Sequence, residues 1–540
     1  MKLERTTFET SRAAEYFYDH ELEKQTGQPK HNFATVALKE LVDNVLDACE
    51  TAGVAPKVSV EVAFGEAGAL TLTVTDDGSG IEPDKVGRIL NFNTHLSDKA
   101  LYRTPTRGQQ GNALKTVVAM PFAMGGSDPL VVIRTRGVEH RIRAALGAGD
   151  IPDVRHQRLQ CQQATAGTSV RLSLPFAAAR TFEPRSVMRA CHLFNPHVKV
   201  SFRASRLGVD HGESAKTEIA ETHLPSDVSY KKFMPNDPLV VHWFGMGDFA
   251  RLVKHLVSHG KGDMPLGEFL KDFRGFSSRA KASKVRKSVS DVRALADLTD
   301  ERIETLYREM CVVAKEPTHN VLGSAIGEAH LVGALHRFHG EPGYRGRSWY
   351  KTVKTHLNGA LAIVEVAVVE TQRAGGVYIG INHSPTYSDP LAETYLSHES
   401  SAGEVSGFGI KEFLQDARVI GDLNSAAVAV HITAAAPTTL DRGKTRLSID
   451  DTTSDMVEAL EKALWSTSKD LYKEAKRRER DAAAAERDTE RRIRQWEQEK
   501  RRITQAEACY QVMEERMPTP LVTKHYRPRS ATSTTPCAIG

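Results

Sequence analysis

The sequence predicts a multidomain protein of mixed α+β and α/β class, in which a helix-only region separates two regions that contain strands. Three observations lead to this prediction. Helical and strand patterns alternate over roughly the first 220 residues, short helices alone follow from 228 to 316, and strands return from 350 to 435. The length of 540 residues agrees, because it suffices for about three or four domains of ordinary size.

The first region predicts a sheet with helices on one face. Residues 31–53 form a helical pattern, with apolar residues at three- and four-residue steps and Gly53 able to end the helix. Residues 58–64 and 70–75 alternate as two strands of a hairpin. A second helix at 113–126 precedes the strand patterns LVVIRTR, HRIRAAL and TSVRLSLP. Helices interleaved with antiparallel hairpins favour an α/β sandwich.

The remaining segments predict helices, then strands, then one long helix. FARLVKHLVS, LGEFLKDF, VSDVRALA and TDERIETLYREM are helical patterns, whereas AIVEVAVVET, VYIGINH and AAVAVHIT are typical of strands. Residues 454–515 predict a single polar helix that would span roughly 90 Å as a strut or coiled-coil arm. The Pro-, Ser- and Thr-rich residues 517–540 are expected to be disordered.

Composition excludes several classes of protein. The net charge is only +4, from 72 Lys and Arg against 68 Asp and Glu, so any surface for nucleic acid must be local. Six cysteines without a CxxC pair disfavour a disulfide scaffold or zinc ribbon. No apolar run approaches 18 residues and the amino terminus lacks a signal-peptide core, so no membrane association and a cytoplasmic location are expected.

Polar side chains on the first helix are the strongest chemical signal. Glu40, Asn44 and Asp47 follow at i, i+4 and i+7, which places them on one helical face. Their hard oxygen atoms suit Mg²⁺ bridging phosphates, and a carboxylate can orient or deprotonate a water. Taken alone, this face is better explained as the solvent side of an ordinary helix.

Three further segments follow along the chain, and their order supports a nucleotide site at this helix. Asp76-Asp77-Gly78-Ser79-Gly80 follows a strand, residues 106–113 (TRGQQGNA) open a helix, and Gly167-Thr168-Ser169 enters another strand. Glycines before a helix expose amides to phosphate oxygens, and a strand-end Asp can accept an adenine amine. Each segment alone has a common alternative, namely a turn, a flexible loop or a strand start.

In this order the segments resemble the Bergerat (GHKL) ATPase fold, with its ExxxNxxDA, DxGxG, glycine-rich lid and GT strand. KELVDNVLDACE and RGQQG resemble the B subunit of topoisomerase VI, a type IIB topoisomerase. EPTHNVLGSAIGEAHL (316–331) and VAVHITAAAPTTLDRGKTRLSID (428–450) are similar to later segments of that family. The resemblance implies a strap at 1–30, the ATPase domain at 31–227, a helix-two-turns-helix domain at 228–316, an S5-like transducer at 317–453 and a helical arm at 454–516.

The resemblance also implies residue roles and cofactors, ATP and Mg²⁺. Glu40 would be the general base, Asn44 the Mg²⁺ ligand and Asp76 the adenine ligand. Thr168 would support the adenine pocket, and Lys444 would reach the γ-phosphate from the transducer. The cofactor-binding set is completed by Asp47, Gly78, Gly80, Arg107, Gly108, Gln109, Gln110, Gly111, Asn112 and Ala113. The lid departs from the family at Ala113, where a third glycine is usual.

The implied function is that of a topoisomerase VI B-like ATPase subunit. Two copies would dimerise on ATP to clamp double-stranded DNA, and a separate A-like cleavage subunit would complete an A2B2 assembly in the nucleoid. The implied strap would reach across this dimer. The most basic globular stretch supplies the DNA candidates Arg274, Arg279, Lys281, Lys284, Arg286 and Lys287.

Two other functions stay open at this stage. An ATP-gated DNA clamp or scaffold, MORC-like or associated with a mobile element, would use the same nucleotide site without topoisomerase activity. A sensor histidine kinase is disfavoured, because only about 30 residues precede the motif helix and Lys444 would have no role.

Overall fold

The computed structural model describes most of the chain. The described residues are 11–65, 70–94, 101–107, 113–126, 129–161, 167–175, 182–210, 213–341, 344–372, 375–401, 403–421, 425–435, 437–440, 446–449 and 454–516. The chain divides into two compact units, residues 1–473 and 474–540. None of the helices in the described ranges is long and apolar enough to cross a bilayer.

An eight-stranded sheet forms the amino-terminal part of the described chain. Its strands are β1 (Lys57–Phe64), β2 (Leu70–Thr75), β3 (Leu130–Thr135), β4 (Val138–Leu146), β5 (Pro152–Gln160), β6 (Thr168–Leu174), β7 (Lys199–Asp210) and β8 (Glu213–His223). They are ordered β5-β4-β3-β6-β2-β1-β7-β8. The β1–β2 hairpin is antiparallel as predicted, whereas β1 and β7 are parallel. Buried and more exposed residues alternate along β1, β2 and β6, as expected for a sheet with one covered face.

Helices cover that face of the sheet. The helices of this region are α1 (Asp19–Thr26), α2 (Phe33–Ala52), α3 (Pro83–Ile89), α4 (Ala113–Ala123) and α5 (Pro184–Leu193). Apolar side chains of α2 and α4 share one core with β1, β2, β3 and β6, which includes Leu38, Val42, Val118, Val60 and Leu72. Helix α2 ends at Gly53, whose left-handed φ of 68° closes the helix as predicted.

The amino-terminal segment packs against this same core. Tyr16, Phe17 and Leu22 are buried, and the Phe17 ring lies 4.9 Å from that of Phe92. Residues 11–30 of the predicted strap therefore pack on their own chain, because exposing these three side chains would return a large apolar area to water. Residues 1–10 lie outside the described residues, and the expected reach across a dimer stays a prediction.

The middle region is helical and has its own apolar core. Its helices are α6 (Met246–Leu256), α7 (Leu266–Phe269), α8 (Arg279–Ser288) and α9 (Asp300–Val313). Phe249, Phe269 and Phe273 pack together in the core of this region. The predicted helix VSDVRALA is wrong, since only a 3₁₀ turn, Leu295–Asp297, forms there. Asp297 Oδ2 accepts the amides of Arg293 and Ala294 at 2.9 Å each, which favours the turn over a helix.

A second sheet follows helix α10 (Glu328–His339). The strands of this C-terminal sheet are β9 (Ser348–Leu357), β10 (Ala360–Glu370), β11 (Val377–Ile381), β12 (Ser384–Pro385) and β15 (Ala426–Ala434), ordered β12-β11-β15-β10-β9. A separate hairpin comprises β13 (Tyr395–Ser400) and β14 (Gly403–Phe408), followed by α11 (Gly409–Asp416). Every residue of β15 is buried, because α10 covers one face of the sheet and α11 the other.

The predicted long helix is confirmed as α12 (Ser454–Arg516). Within the first unit, Met456, Leu460 and Leu464 join the core of the C-terminal sheet. The second unit begins at Glu474, and its described part is the remainder of this helix. It exposes Ile493, Trp496, Ile503 and Tyr510 at spacings of three and seven residues. The predicted tail at 517–540 lies outside the described residues.

Three histidine rings lie in contact where α5 packs beside α10 and the end of β8. His192 of α5 lies 5.1 Å from the ring of His223 at the end of β8 and 5.3 Å from that of His330 of α10. Burial lowers the pKa of His192 to about 3 and that of His330 to about 4. Both side chains are therefore neutral in the folded protein, and their charged forms are excluded from this contact.

Acid should destabilise the protein through this cluster. The folded pKa values lie below the unfolded value of about 6.5, so the stabilisation is complete above pH 6.5 and is lost as pH falls toward 4. Each histidine should remove about 1.4 kcal/mol of unfolding free energy per pH unit across this window. Thermal unfolding measured from pH 8 to 4.5 checks this, and His192→Gln should show a shallower dependence than the wild type. An equal slope in the two proteins would contradict it.

Candidate functional site

Helix α2 presents its polar face beside the eight-stranded sheet. The Glu40 side chain is 29% exposed and the Asp47 side chain 16%, and Asn44 is the most accessible of the three. Their neighbours Leu41, Val42 and Leu46 are buried in the core. The structure thus confirms that Glu40, Asn44 and Asp47 share one accessible face of a helix that is otherwise held in place by packing.

Asp76 directly follows β2, as predicted, and is hydrogen-bonded to Thr168, the first residue of β6. Its Oδ1 accepts the amides of Gly78 at 2.8 Å and Thr168 at 3.1 Å, and its own amide donates to the Thr168 carbonyl at 2.9 Å. Burial raises the pKa of Asp76, while these two amides lower it. Oδ2 receives no hydrogen bond from the described residues, so one carboxylate oxygen is left to accept a donor from a ligand.

Two glycines make this arrangement sterically possible. Gly167 has a φ of +84°, and a Cβ there would lie 2.1 Å from the Asp76 carbonyl oxygen. Gly80 has a φ of +72°, and a Cβ there would lie 2.9 Å from Thr135 Oγ1. Thr135 Oγ1 in turn accepts the Ile81 amide at 2.7 Å. Thr135 is a site residue that sequence reasoning missed, because a lone threonine in a strand carries no motif signal.

The Arg107 side chain is buried and held by other side chains. It is 1% exposed, and Nη1 and Nη2 lie 2.9 and 3.0 Å from the Glu50 carboxylate. Nη2 also donates to Asn195 Oδ1 at 2.6 Å, and Nη1 lies 3.4 Å from Asp47. The guanidinium therefore acts as an internal anchor, and a contact between Arg107 and the nucleotide stays a prediction.

Glu50 is a second residue of this region that sequence reasoning did not identify. Besides Arg107 it faces Lys232 Nζ at 2.7 Å and His197 Nε2 at 3.0 Å, and its side chain is 1% exposed. Burial opposes ionisation, but Arg107 and Lys232 hold the pKa of Glu50 well below its usual range. Burial lowers the pKa of Lys232 to about 8. A charged residue on the apolar side of an amphipathic helix is the only sequence signal that could have found Glu50.

Two residues at and just after strand β12 of the C-terminal sheet reach α2. Tyr387 Oη donates to Glu40 Oε1 at 2.9 Å, and Ser384 Oγ donates to Asp43 Oδ2 at 2.6 Å. The two carboxylates of α2 are therefore in contact with a segment that lies more than 340 positions away in sequence.

Comparison with known families identifies the fold around these residues. Residues 31–178 match the family described as histidine kinase-, DNA gyrase B-, and HSP90-like ATPase. This range begins just before α2 and includes β6, so it contains Glu40, Asp76 and Thr168. These residues lie in a region with the GHKL ATPase fold. The mixed α/β multidomain class and this fold, both expected from the sequence, are confirmed.

Several proteins named as the B subunit of type 2 DNA topoisomerase 6 are similar to this chain. That of Natronomonas pharaonis is 27% identical over 195 residues, which are 35% of this chain and 23% of the relative. That of Metallosphaera sedula is 25% identical over 292 residues, 51% of this chain and 50% of the relative. The chain thus spans between about a quarter and half of the length of these relatives.

Solved structures are similar at a lower level. The chain covers 94% of the N-terminal domain of a DNA repair protein, at 12% identity and a TM-score of 0.38. It covers 91% of the 43K ATPase domain of Thermus thermophilus gyrase B, at 14% identity and a TM-score of 0.29. In these two comparisons 82% and 84% of the present chain is aligned.

Part of the predicted site of the ATPase domain lies outside the described residues. This holds for Gly108, Gln109, Gln110, Gly111 and Asn112 of the lid, and for Lys444. Ala113 is described as the first residue of α4. The described residues contain no cluster of three His, Cys, Asp or Glu side chains that could hold a metal by itself. Asn44 nevertheless supplies an amide oxygen on an accessible face, and such a donor suits a Mg²⁺ ion that is bound mainly through phosphates.

Outside the ATPase domain, α8 and the loop before it present the predicted basic surface. Arg274, Arg279, Lys284, Arg286 and Lys287 are exposed and Lys281 is partly exposed. None of the six forms an ion pair with another described residue, unlike Arg302 of α9, which lies 2.9 Å from Asp291. Their charges are therefore available to an external anion. Val285 on the opposite side of α8 is fully buried and fixes the helix to the core.

Proposed function

We propose that the chain is the ATP-binding and ATP-hydrolysing subunit of a type IIB DNA topoisomerase. The observation that carries the proposal is that the similarity to B subunits of topoisomerase 6 reaches 292 residues, well beyond the ATPase match at 31–178. A shared ATPase domain alone would fit many activities. Similarity that continues into the rest of the chain favours the topoisomerase subunit over unrelated users of the same domain.

In this proposal, Asp76 recognises the adenine and Glu40 activates water. The free Oδ2 of Asp76 would accept the exocyclic amine, with Thr168 holding the carboxylate in place through its amide. Glu40 would orient the attacking water and accept its proton, because its carboxylate lies on the accessible face of α2. Asn44 would hold Mg²⁺, which when bound neutralises charge on the phosphates. Gly78, Gly80, the lid at 108–113 and Lys444 would contact ribose and phosphates, Lys444 reporting the γ-phosphate to the transducer.

DNA would lie against the unpaired basic surface of the helical region. Its side chains carry charge without a rigid base-reading geometry, so binding should tolerate any sequence. Two copies would close on ATP around the duplex, and a separate subunit would cleave it. The exposed apolar residues Ile493, Trp496, Ile503 and Tyr510 of the distal helix are the proposed contact with that cleavage subunit.

Removing the basic surface should weaken DNA-dependent ATP turnover. We expect the quadruple change of Arg279, Lys284, Arg286 and Lys287 to alanine to abolish most DNA stimulation. Each lost phosphate contact should reduce the slope of log affinity against log salt by about 0.9, so the slope should fall by roughly three to four. ATPase rates and DNA binding measured between 50 and 300 mM salt would check this.

A control at other exposed arginines separates local binding from a general effect of removing positive charge. Arg155 and Arg158 of β5 are exposed, and they pair with Asp153 and Asp84 at 2.9 and 2.8 Å. Their replacement by alanine should leave both the stimulation and the salt slope nearly unchanged. If the control and the quadruple variant behave alike, the basic surface of α8 is not the DNA site.

One experiment tests the proposal as a whole. The purified chain is assayed for ATP hydrolysis with and without duplex DNA, and its mass in solution is measured with and without a non-hydrolysable ATP analogue. The proposal expects DNA-stimulated hydrolysis and dimers that form only with nucleotide. A chain that neither binds ATP nor dimerises would refute it.

One observation favours a second function, that of an ATP-gated DNA clamp without topoisomerase activity. This observation is that the chain aligns with only part of each topoisomerase relative. The chain spans between about a quarter and half of their length, so parts of those proteins have no counterpart in the alignments. Adding a type IIB cleavage subunit and supercoiled plasmid distinguishes the two. Relaxation that requires ATP supports the topoisomerase, whereas ATP-dependent DNA trapping without relaxation supports the clamp.

A further inference from the structure

The segment 384–387, which begins with strand β12 of the C-terminal sheet, lies against the carboxylates of α2. Tyr387 is partly buried, and its hydroxyl donates to Glu40 Oε1 at 2.9 Å. Ser384, three residues earlier, donates to Asp43 Oδ2 at 2.6 Å. The two hydrogen bonds come from one short segment and reach two acids three residues apart on one helix, so they fix the segment and the helix face relative to each other.

Lys39 connects the two hydrogen-bonded pairs. Its Nζ lies 2.8 Å from Asp43 Oδ2, 3.5 Å from Glu40 Oε1 and 4.8 Å from the centre of the Tyr387 ring. Burial would lower the pKa of Lys39, but the carboxylates of Asp43 and Glu40 raise it, so the ammonium stays charged. Burial together with Glu40 raises the pKa of Tyr387 well above its usual value. Tyr387 is therefore a neutral donor at every pH at which the enzyme would work.

This geometry has a direct consequence for the Glu40 carboxylate. A glutamate side chain at 29% exposure has several rotamers available unless a partner selects one. The Tyr387 hydroxyl and the Lys39 ammonium both engage Oε1, which leaves Oε2 to face a water molecule. A base that is held in one orientation loses less freedom on reaching the transition state.

We propose that Tyr387 is a positioning residue for Glu40, so that ATP hydrolysis depends on the C-terminal sheet being seated against α2. The inference rests on the proposed catalytic role of Glu40 and adds a residue that no motif of the ATPase domain contains. Movement of the 384–387 segment away from α2 would remove the donor and release the carboxylate. Hydrolysis would then report the position of a separate domain.

The test is Tyr387→Phe, which removes the hydroxyl and keeps the ring beneath Lys39. We expect kcat to fall about tenfold, because hydrogen bonds to charged groups have an effect of this order. The KM for ATP and the affinity for a non-hydrolysable analogue should stay within about twofold, because no Tyr387 atom needs to contact the nucleotide. A kcat within twofold of wild type would overturn the proposal.

Tyr378→Phe is the matched control at the same domain contact. Tyr378 of β11 is 8% exposed, and its hydroxyl lies 2.9 Å from His339 Nε2, so its loss leaves Glu40 untouched. Thermal midpoints of the two variants should be similar, and only Tyr387→Phe should be slow. If both variants lose activity to the same extent, the contact is merely structural and the proposal is wrong.

The split between kcat and KM gives a readout that a packing defect would not produce. The charged and titratable groups at this contact among the described residues are Lys39 and Asp43 on the helix of Glu40 and Tyr387 from the opposing segment. Tyr387→Phe removes one donor to the Glu40 carboxylate and leaves the adenine and metal ligands in place, so kcat should fall while KM holds. A parallel rise in KM would count against a direct action on Glu40.

The outcomes also separate this inference from the proposed function. A wild-type chain without ATPase activity would overturn both. An inactive Glu40→Gln chain together with a fully active Tyr387→Phe chain would overturn only the positioning role. In the Glu40→Gln background, Tyr387→Phe should cause no further loss, because the two residues act on one step.

Discussion

Glu40→Gln should lower the ATPase rate by on the order of 10²-fold or more while nucleotide affinity stays nearly unchanged. Glutamine keeps the size of the side chain and can still accept the Tyr387 hydroxyl, but it cannot accept a proton from water. The adenine and metal ligands, Asp76 and Asn44, are untouched by the change. Steady-state hydrolysis together with equilibrium binding of a fluorescent ATP analogue would measure the two quantities separately.

The control for this experiment is Glu61→Gln. Glu61 lies on the outward side of β1 and is exposed, so its loss changes the net charge equally without approaching α2. We expect wild-type rates from it. A Glu40→Gln chain that hydrolyses ATP normally would remove the general base from the mechanism, and a chain that also fails to bind the analogue would indicate a damaged pocket.

Local patterns in the sequence were sufficient to predict the helix and strand ends that carry this site. The face of α2 follows from the 3.6-residue period, since Glu40, Asn44 and Asp47 recur at helical spacing between the apolar residues that pack into the core. Asp76 and Thr168 were predicted at strand ends from their order, and the structure joins them through a backbone ladder and the Asp76 carboxylate. Such features depend on neighbours within a few residues, and a single sequence contains that information.

Contacts between distant segments were not predictable in this way. Tyr387 and Glu40 are 347 positions apart, and neither residue has a pattern that indicates the other. Arg107 is a second example, because its place in the lid motif gave no sign of the buried Glu50 carboxylate that holds its guanidinium. The helix predicted at VSDVRALA failed since its apolar spacing is satisfied by a turn that Asp297 stabilises.

Glu50→Gln should destabilise the protein more than any surface change. Its carboxylate is the common partner of Arg107 at 2.9 Å and Lys232 at 2.7 Å, and all three side chains are at most 3% exposed. Glutamine would leave two buried cations near each other without their anion. Breaking such an arrangement on one side reduces the unfolding free energy by about 3–5 kcal/mol. For a cooperative unit of residues 1–473 this corresponds to a thermal midpoint lower by roughly 3–5 °C, because the entropy of unfolding is about 2.1 cal/mol/K per residue.

Asp77→Asn is the control for Glu50→Gln, because it removes one carboxylate from an ion pair at the surface. Asp77 lies 2.8 Å from Lys57 Nζ, but the two side chains are 37% and 63% exposed, and pairs of this kind contribute about 1 kcal/mol or less. The comparison therefore separates burial from charge pairing. Equal thermal midpoints for the two variants would show that the Glu50 cluster is not an internal anchor.

The pH dependence of the Glu50→Gln variant should reveal which cation is left uncompensated. Burial already brings the pKa of Lys232 to about 8 in the wild type, and without Glu50 it should be lower still, whereas Arg107 stays charged. Raising the pH from 7 to 9 would then deprotonate Lys232 in the folded variant and relieve part of the repulsion. The stability gap between variant and wild type should narrow over this range, and a constant gap would mean that Arg107 alone accounts for the loss.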